Sequence, residues 1–240
     1  LCGVWRDEPL VELDTRPTSV GGKAVQGAFE VVDPTGAVGN LPGFADGRWW
    51  VMDPAAVEVA DLAVAAAGAG GAVLDACAAP GGKSLRLASK GVSVVATDQD
   101  PARLDLIREA AGRTGLKVKV AEHDWLNGPH AMLGHFDAVL VDVPCTGLGT
   151  VRRHPEIKWR RLPSDPASMA LRQITILEAA AHHVRPGGAL IYSVCSPMRE
   201  EGEAVVSALS AWHVVETGST FPPAGDEDAF QAFVLRRSGS

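Results

Sequence analysis

The stretch that most limits the fold is residues 72–84, Ala-Val-Leu-Asp-Ala-Cys-Ala-Ala-Pro-Gly-Gly-Lys-Ser. Ala72 to Ala76 is a short apolar run of the length of a buried parallel strand. Cys77 to Gly82 holds small residues, one proline and two glycines. From Lys83 onward, Ser84-Leu85-Arg86-Leu87-Ala88-Ser89-Lys90 carries apolar residues at helical spacing. The order is therefore strand, tight turn, helix. Such a turn presents bare backbone N–H groups and the positive end of a helix dipole to a ligand. Gly81 and Gly82 permit positive φ and a close approach to the backbone.

Several readings of this turn compete. A phosphate-binding loop requires G-x-x-x-x-G-K-[ST]. Gly82-Lys83-Ser84 supplies the end of that motif, but Cys77 stands where its first glycine belongs. The dinucleotide fingerprint G-x-G-x-x-G is absent, and Gly68-Ala69-Gly70-Gly71 precedes the strand and reads as a linker. A nucleoside ligand without a phosphate tail, such as S-adenosylmethionine, fits the remaining features. An ordinary turn with no ligand is the plain alternative.

Downstream, strands and helices alternate. Strands are expected over 93–97, 117–120, 136–141 and 189–193, and helices over 55–67, 101–115, 168–184 and 200–211. Val214-Val215 and Phe230 to Leu235 suggest a final hairpin. This alternation means an α/β fold with a mostly parallel, doubly wound sheet, whose ligands gather at the carboxyl ends of the strands. Residues 1–50 are broken by Pro9, Pro17, Gly21-Gly22, Pro34 and Gly36. They read as a small β-rich extension with strands at 11–13 and 29–32. A further short strand over 49–52 leads into Asp53-Pro54.

Composition excludes several classes. A chain of 240 residues, 46% hydrophobic, can bury a sizeable core, so one main domain with a smaller attachment is expected. No run of 18 apolar residues exists, which excludes a transmembrane helix, and no signal peptide is visible. A chain that begins at Leu1 rather than Met reads as a fragment or a processed form. Cys2, Cys77, Cys145 and Cys195 form no C-x-x-C pair. That argues against a zinc ribbon or a disulfide scaffold and suits a reducing compartment. The cytoplasm is the expected location, with an organelle such as a plastid as the alternative. The net charge of -7 requires any nucleic-acid binding to come from a local patch.

The expected strand ends carry the chemistry. Asp98 lies 16 residues after Gly82 and can accept hydrogen bonds from both hydroxyls of a ribose. Asp100-Pro101 reads instead as a helix cap. Asp124 can reach an adenine amino group or the ribose side, whereas His123 reads as structural. The fourth strand runs into Asp142-Val143-Pro144-Cys145-Thr146-Gly147, and the fifth into Ser193-Val194-Cys195-Ser196-Pro197. If those strands are neighbours, both thiols face one crevice. A thiol, with a reference pKa of about 8.5, needs help to act as a nucleophile. Residues 152–161, Arg-Arg-His-Pro-Glu-Ile-Lys-Trp-Arg-Arg, hold five of the 22 lysines and arginines. They read as an electrostatic clamp on a phosphate backbone, with Trp159 able to stack on a base. His182-His183 fall mid-helix, no H-E-x-x-H pattern occurs, and no metal site is expected.

Four segments acquire a joint meaning: Asp75-Ala76-Cys77-Ala78-Ala79-Pro80-Gly81-Gly82-Lys83, Asp142-Val143-Pro144-Cys145-Thr146-Gly147, Arg152-Arg153-His154-Pro155-Glu156-Ile157-Lys158-Trp159 and Tyr192-Ser193-Val194-Cys195-Ser196. Together they resemble the S-adenosylmethionine-dependent RNA cytosine-C5 methyltransferases of the Sun (Nop/Sun) family. The bacterial RsmB-like branch, which modifies small-subunit ribosomal RNA, is the most similar. Leu41-Pro42-Gly43-Phe44 and Asp228-Ala229-Phe230 also look similar, so the resemblance covers about 41–237. Two stretches depart from the family pattern. Met52-Asp53-Pro54-Ala55 replaces a Gln-Asp followed by Ser or Ala, and Asp226-Glu227-Asp228-Ala229-Phe230 replaces a more usual Asp-Gly-Phe-Phe.

The resemblance implies a Rossmann-like class I methyltransferase domain over 51–240 with a C-terminal antiparallel hairpin, and an extension over 1–50 from a truncated RNA-binding region. It implies that Cys77, Ala78, Ala79, Pro80, Gly81, Gly82 and Lys83 line the methionine and ribose side of the cofactor. Asp98 would hold the ribose hydroxyls, Asp124 would sit near the adenine, and Asp142 would lie at the junction of cofactor and base. Cys195 would be the nucleophile, adding to C6 of the cytosine, and Cys145 the second cysteine that releases product. Sequence chemistry alone does not rank the two thiols, since DNA cytosine methyltransferases use the Pro-Cys loop. Arg152, Arg153, Lys158, Trp159, Arg160 and Arg161 would contact RNA, most simply ribosomal RNA. A monomer without membrane contact is expected. The alternatives are a transfer-RNA cytosine methyltransferase, a non-catalytic RNA-binding scaffold of the same fold, and a P-loop nucleotidase.

Overall fold

The computed structural model describes residues 1–11, 13–20, 23–32, 36–220 and 228–238. Two sheets organise them. The first is four-stranded and antiparallel, built from β1 (Cys2–Trp5), β2 (Thr15–Val20), β3 (Lys23–Val31) and β4 (Trp49–Val51) in the order β2-β3-β1-β4. Its core is aromatic: Trp5 stacks on Phe29 at 3.9 Å, and Trp49 meets Phe29 edge-on. Gly3 is required there, because a Cβ would lie 2.7 Å from the Phe29 ring. β1 was not anticipated. Four residues that include a glycine carry no readable period, and pairing with β3 and β4 defines the strand. The strand expected over 11–13 is absent at Val11 and Leu13, which lie in turns, and Glu12 lies outside the described residues. So do Gly21, Gly22, Pro34, Asp226 and Glu227.

The second sheet is the larger. α1 (Pro54–Ala67) leads into it, capped by the Asp53 carboxylate, which accepts the Ala55 N–H at 2.9 Å. Then follow β5 (Ala72–Asp75), α2 (Gly82–Ser89), β6 (Ser93–Asp98), α3 (Pro101–Thr114), β7 (Val118–Glu122) and β8 (Phe136–Asp142). α4 (Ile157–Arg160), α5 (Asp165–Ala181), β9 (Val184–Val194), α6 (Glu203–Ala208), β10 (Trp212–Ser219) and β11 (Gln231–Arg237) complete it. The strand order is β10-β11-β9-β8-β5-β6-β7. β7, β6, β5, β8 and β9 are parallel, and β11 runs antiparallel between β9 and β10. This is the expected doubly wound α/β sheet with a C-terminal hairpin.

Side chains alternate across the sheet as the strand period requires. Val139 and Val141 face α5, packing with Ile176 and Leu177, whereas Ala138 and Leu140 face α1, packing with Val59 and Ala63. Both faces are covered, which is why β8 reads as an almost continuous apolar run. The small sheet packs onto α1, α2 and α3 through Val4, Val25, Trp50, Val57, Leu85 and Ala111. Arg86, its side chain almost fully buried, ties the layers by donating to Asp61 on α1 and to the Gln26 carbonyl on β3.

Boundaries shift where tertiary pairing extends or trims a local pattern. β9 begins at Val184, because pairing with Phe136 carries the strand through Pro186-Gly187-Gly188. α5 therefore ends at Ala181, and His182-His183 close the helix rather than lying within it. The His183 ring bridges the Gly134 carbonyl and the His130 N–H. α6 is the short piece 203–208 rather than 200–211. Among the described residues, no helix is long and apolar enough to cross a membrane.

The strand order reverses between β6-β5 and β8-β9. A crevice therefore opens beyond the carboxyl ends of β5 and β8, the usual ligand edge of such sheets.

Candidate active site

β5 delivers Asp75 to this crevice, and the following turn is pinned from both sides. Ala76 N–H donates to the Leu140 carbonyl at 2.8 Å, and Ala78 N–H to that of Thr97 at 2.9 Å. Gly81 has φ of 105°, and a Cβ there would lie 3.1 Å from Ile107, so only glycine fits comfortably. Asp75 is fully buried and accepts the Ser84 hydroxyl at 2.6 Å. Burial pushes its pKa up to about 6, against the Ser84 hydrogen bond and the Lys83 charge.

A cavity of about 270 Å³ lies against this turn. Cys77 and Ala79 line it beside Asp98 and Asp124 from the ends of β6 and β7, and Asp142, Cys145 and Cys195 close the far side. Asp98 is 5% exposed. Its two oxygens accept the Ala79 N–H at 3.3 Å and the Asp100 N–H at 3.1 Å, with Arg103 at 3.4 Å. Each oxygen keeps acceptor capacity for a ligand hydroxyl. Asp124 caps the next turn through Leu126 N–H, and His123, held by the Gly128 carbonyl and against Trp125, also lines the cavity. Burial, then the charges of Asp142, Asp75 and Asp98, keep the Cys77 thiol well above the ordinary range, so it lines the cavity as a neutral group.

The lining combines the carboxylates of Asp98, Asp124 and Asp142, the apolar side chains of Ala79, Val143 and Ile176, and the thiols of Cys77, Cys145 and Cys195. This lining suits the hydroxyls, ring and sulfonium-bearing arm of S-adenosylmethionine.

Lys83 does not line this first cavity with Cys77 and Ala79. It lines a second cavity, of about 190 Å³, which also holds Asp53, Arg153, Asp228 and Phe230. Asp142 and Cys195 line both cavities, whereas Cys145 lines only the first. Lys83 Nζ lies 2.5 Å from Asp142 Oδ2, and the Ser193 hydroxyl donates to Asp142 Oδ1 at 2.6 Å. Burial works against the Lys83 charge, but Asp142 outweighs it and holds the ammonium above the ordinary lysine value. Lys83 turns this way because it opens α2 at the switch point, where β8 ends beside β5. Asp53, the α1 cap, has its pKa raised by burial and then by the Asp228 charge.

The two thiols meet. β8 and β9 pair in parallel up to Asp142 and Ser193, and the loops beyond them bring Cys145 Sγ to 2.9 Å from Cys195 Sγ. The hydrogen bond to Cys195, then burial, raise the Cys145 pKa well above the ordinary thiol value.

The basic segment divides in two. Arg153 grips Asp228 in a bidentate pair, and Arg152 stands 3.8 Å from the same carboxylate. Arg161 donates to the Thr146 carbonyl at 2.7 Å and so braces the Cys145 loop. Lys158, Trp159 and Arg160, on α4, are exposed, Trp159 by 88%. Pairing with Asp228 across 75 residues is invisible in a local count of charges. Sequence reasoning also missed Gln99, Arg103, Trp125 and Ile176 in the first cavity, and Asp53, Asp228 and Phe230 in the second. Of these, Gln99 and Arg103 had a signal, since they follow Asp98 into the first turn of α3.

The family model for 16S rRNA methyltransferase RsmB/F matches residues 64–230. A ribosomal RNA small subunit methyltransferase B from Serratia proteamaculans is 40% identical over 195 residues, covering 78% of this chain and 45% of the relative. A putative methyltransferase from Mycobacterium tuberculosis is 39% identical over 237 residues, covering 90% and 51%. The chain thus spans about half the length of these curated relatives. Among solved structures, NSun6 from Pyrococcus horikoshii with SFG superposes with a TM-score of 0.76 at 24% identity, covering 92% of this chain and 62% of that one. A methyltransferase homolog from the same organism gives 0.79 at 21% identity, covering 98% and 86%. Because the family match takes in the turn at Gly81 and the loops of both facing cysteines, the chain belongs to the 16S rRNA methyltransferase RsmB/F family, which is S-adenosylmethionine-dependent.

Proposed function

We propose that this chain transfers a methyl group to C5 of a cytosine in RNA, most simply small-subunit ribosomal RNA, through a covalent bond between Cys195 and C6. The observation that carries the reading is the 2.9 Å approach of two thiols at a wall where two cavities meet, with Asp142 beside them. In this reading the first cavity takes the cofactor and the second takes the target base, which must be unpaired or flipped to enter.

C5 of cytosine is a poor nucleophile. Attack of the Cys195 thiolate forms an S–C6 bond and moves a π electron pair toward C5, which becomes enamine-like. Asp142 accepts a hydrogen bond from the exocyclic amine, and Lys83 on the same wall offsets the charge that builds up. When bound, S-adenosylmethionine supplies an electron-poor methyl carbon. C5 would form its bond to that carbon as the carbon–sulfonium bond breaks and its electron pair returns to sulfur, leaving a neutral thioether. A base then takes the C5 proton, the C5–C6 double bond returns and the Cys195 S–C6 bond breaks. The Cys145 sulfur, 2.9 Å from Cys195, lies beside the departing sulfur and is placed to assist its release. Cys195 is favoured as the nucleophile because it lines both cavities and Cys145 lines one.

Incubation with small-subunit ribosomal RNA and S-adenosylmethionine, read by denaturing gel, tests the reading. Cys195→Ala is expected to abolish transfer and adduct, and Cys145→Ala to accumulate a protein–RNA adduct. An adduct with Cys195→Ala but not with Cys145→Ala would reverse the roles, and calorimetry without S-adenosylmethionine binding would end the proposal.

A further inference from the structure

Beyond the strand ends, little backbone pairing fixes one cysteine loop against the other. The last ladder contact is Val143 N–H to the Ser193 carbonyl at 3.2 Å, and after it Gly149 N–H reaches the Cys195 carbonyl at 3.0 Å. Between these two points a buried side chain does what the ladder no longer can. Glu201, on the loop before α6, has no exposed surface. Its Oε1 accepts the Thr146 N–H at 2.8 Å and the Gln173 amide at 3.1 Å. Its Oε2 accepts the Thr146 hydroxyl and, at 2.6 Å, the Ser196 hydroxyl. Thr146 follows Cys145, and Ser196 follows Cys195. One carboxylate therefore bridges the residues next to both thiols.

The bridge is braced from behind. Gln173 also donates to the Pro144 carbonyl at 3.0 Å, so the Cys145 loop is held on both sides of the cysteine. The Tyr192 hydroxyl donates to the Glu201 carbonyl and lies 3.2 Å from Gln173 Oε1. Thr146, Gln173, Tyr192 and Ser196 are all fully buried. Among the described residues, Glu201 forms no ion pair. Burying a carboxyl group is costly, and an apolar side chain would fill the same space with less loss. What only a carboxyl group gives is four acceptor sites aimed at two loops at once.

We propose that Glu201 is the positioning residue that sets the distance and angle between the Cys145 and Cys195 sulfurs. It touches neither substrate nor cofactor and acts through Thr146 and Ser196. This role deepens the methyl-transfer reading above, and it is measurable without it.

The test uses the full chain with Glu201→Ala, Glu201→Gln and the double variant Thr146→Val/Ser196→Ala. The first readout is the rate at which diamide converts the two thiols to a Cys145–Cys195 disulfide, counted by alkylation and mass spectrometry. That bond forms only when the sulfurs can close to about 2 Å. The second readout is kcat and KM for methyl transfer to small-subunit ribosomal RNA. Displacement of a reacting group by about 1 Å costs on the order of 100-fold in rate. Glu201→Ala should lose about that much in kcat with KM within about threefold, and its disulfide should form roughly tenfold more slowly. Glu201→Gln, which keeps the shape but only one of the two acceptor oxygens, should fall between the parent and Glu201→Ala in both rates. If Glu201→Ala does not fold, the double variant should still show a loss of about tenfold in kcat and disulfide formation slowed by about threefold. A folded Glu201→Ala or double variant with unchanged disulfide formation overturns the proposal, whatever happens to kcat. If the parent protein methylates no RNA, the disulfide rate still decides the role of Glu201.

Discussion

Lys83 and Asp142 lie 2.5 Å apart, joining the first turn of α2 to the end of β8. The pair stands where the two cavities meet, and Ser193 fixes the other Asp142 oxygen at 2.6 Å. A carboxylate held from both sides is preorganised, and it needs no rearrangement when charge builds up on a ring beside it. Asp142→Asn should therefore leave S-adenosylmethionine binding within a few-fold while lowering single-turnover methyl transfer by about 100-fold to 1,000-fold. Transfer at the parental rate would remove Asp142 from the chemistry.

The Cys145 thiol owes its raised pKa first to the hydrogen bond with Cys195 and next to burial. Removing Cys195 deletes the larger cause and leaves the smaller. In Cys195→Ala, the pH at which Cys145 begins to react with iodoacetamide should fall toward the ordinary thiol value of about 8.5 but stay above it. Mass-spectrometric alkylation rates across a pH series give the curve. A curve unchanged by the substitution would mean that the two sulfurs do not interact in solution.

Asp75 titrates at about 6, against an ordinary value of 3.8, because it is fully buried. The folded chain then holds this proton more tightly than the unfolded chain does. The group favours the fold fully below 3.8, and that contribution is lost as the pH rises through about 6. The span corresponds to roughly 3 kcal/mol. Asp75→Asn keeps an acceptor for Ser84 and removes the titration. Urea unfolding should find it more stable than the parent by up to ~3 kcal/mol at about pH 8 and nearly equal at about pH 4. A stability gap that does not widen with pH would contradict this account.

The arginines of the basic segment should behave in two ways. Lys158→Gln/Arg160→Gln should lower the slope of log affinity against log salt by about 1.4 for single-stranded RNA, with the melting temperature unchanged. Trp159→Ala should cost about 1–3 kcal/mol of RNA binding if a base stacks on the exposed indole. Arg153→Ala should instead destabilise the fold by roughly 1–3 kcal/mol, since it leaves the buried Asp228 without its bidentate partner. Filter binding over a salt series, paired with thermal melts, separates the two behaviours. A salt slope that falls with Arg153→Ala alone would put that arginine back on the phosphate backbone.

The sequence alone determined the strand-turn-helix at Gly81, the alternation of strands and helices, and the loops that carry Asp98, Asp124, Asp142, Cys145 and Cys195. Those features are local: spacing, small residues and strand ends lie within one short window of chain. Tertiary structure decided how they combine. Parallel pairing of β8 with β9 brings two thiols 50 residues apart to 2.9 Å, and the reversal of strand order turns Lys83 toward Asp142 and the second cavity. The same packing spends Arg153 on Asp228 and buries Glu201 between two loops, roles that no window of residues around either one contains. The physical reason is that hydrogen bonds and ion pairs form between groups made neighbours by sheet order and burial. Sequence spacing sets that neighbourhood only within an element.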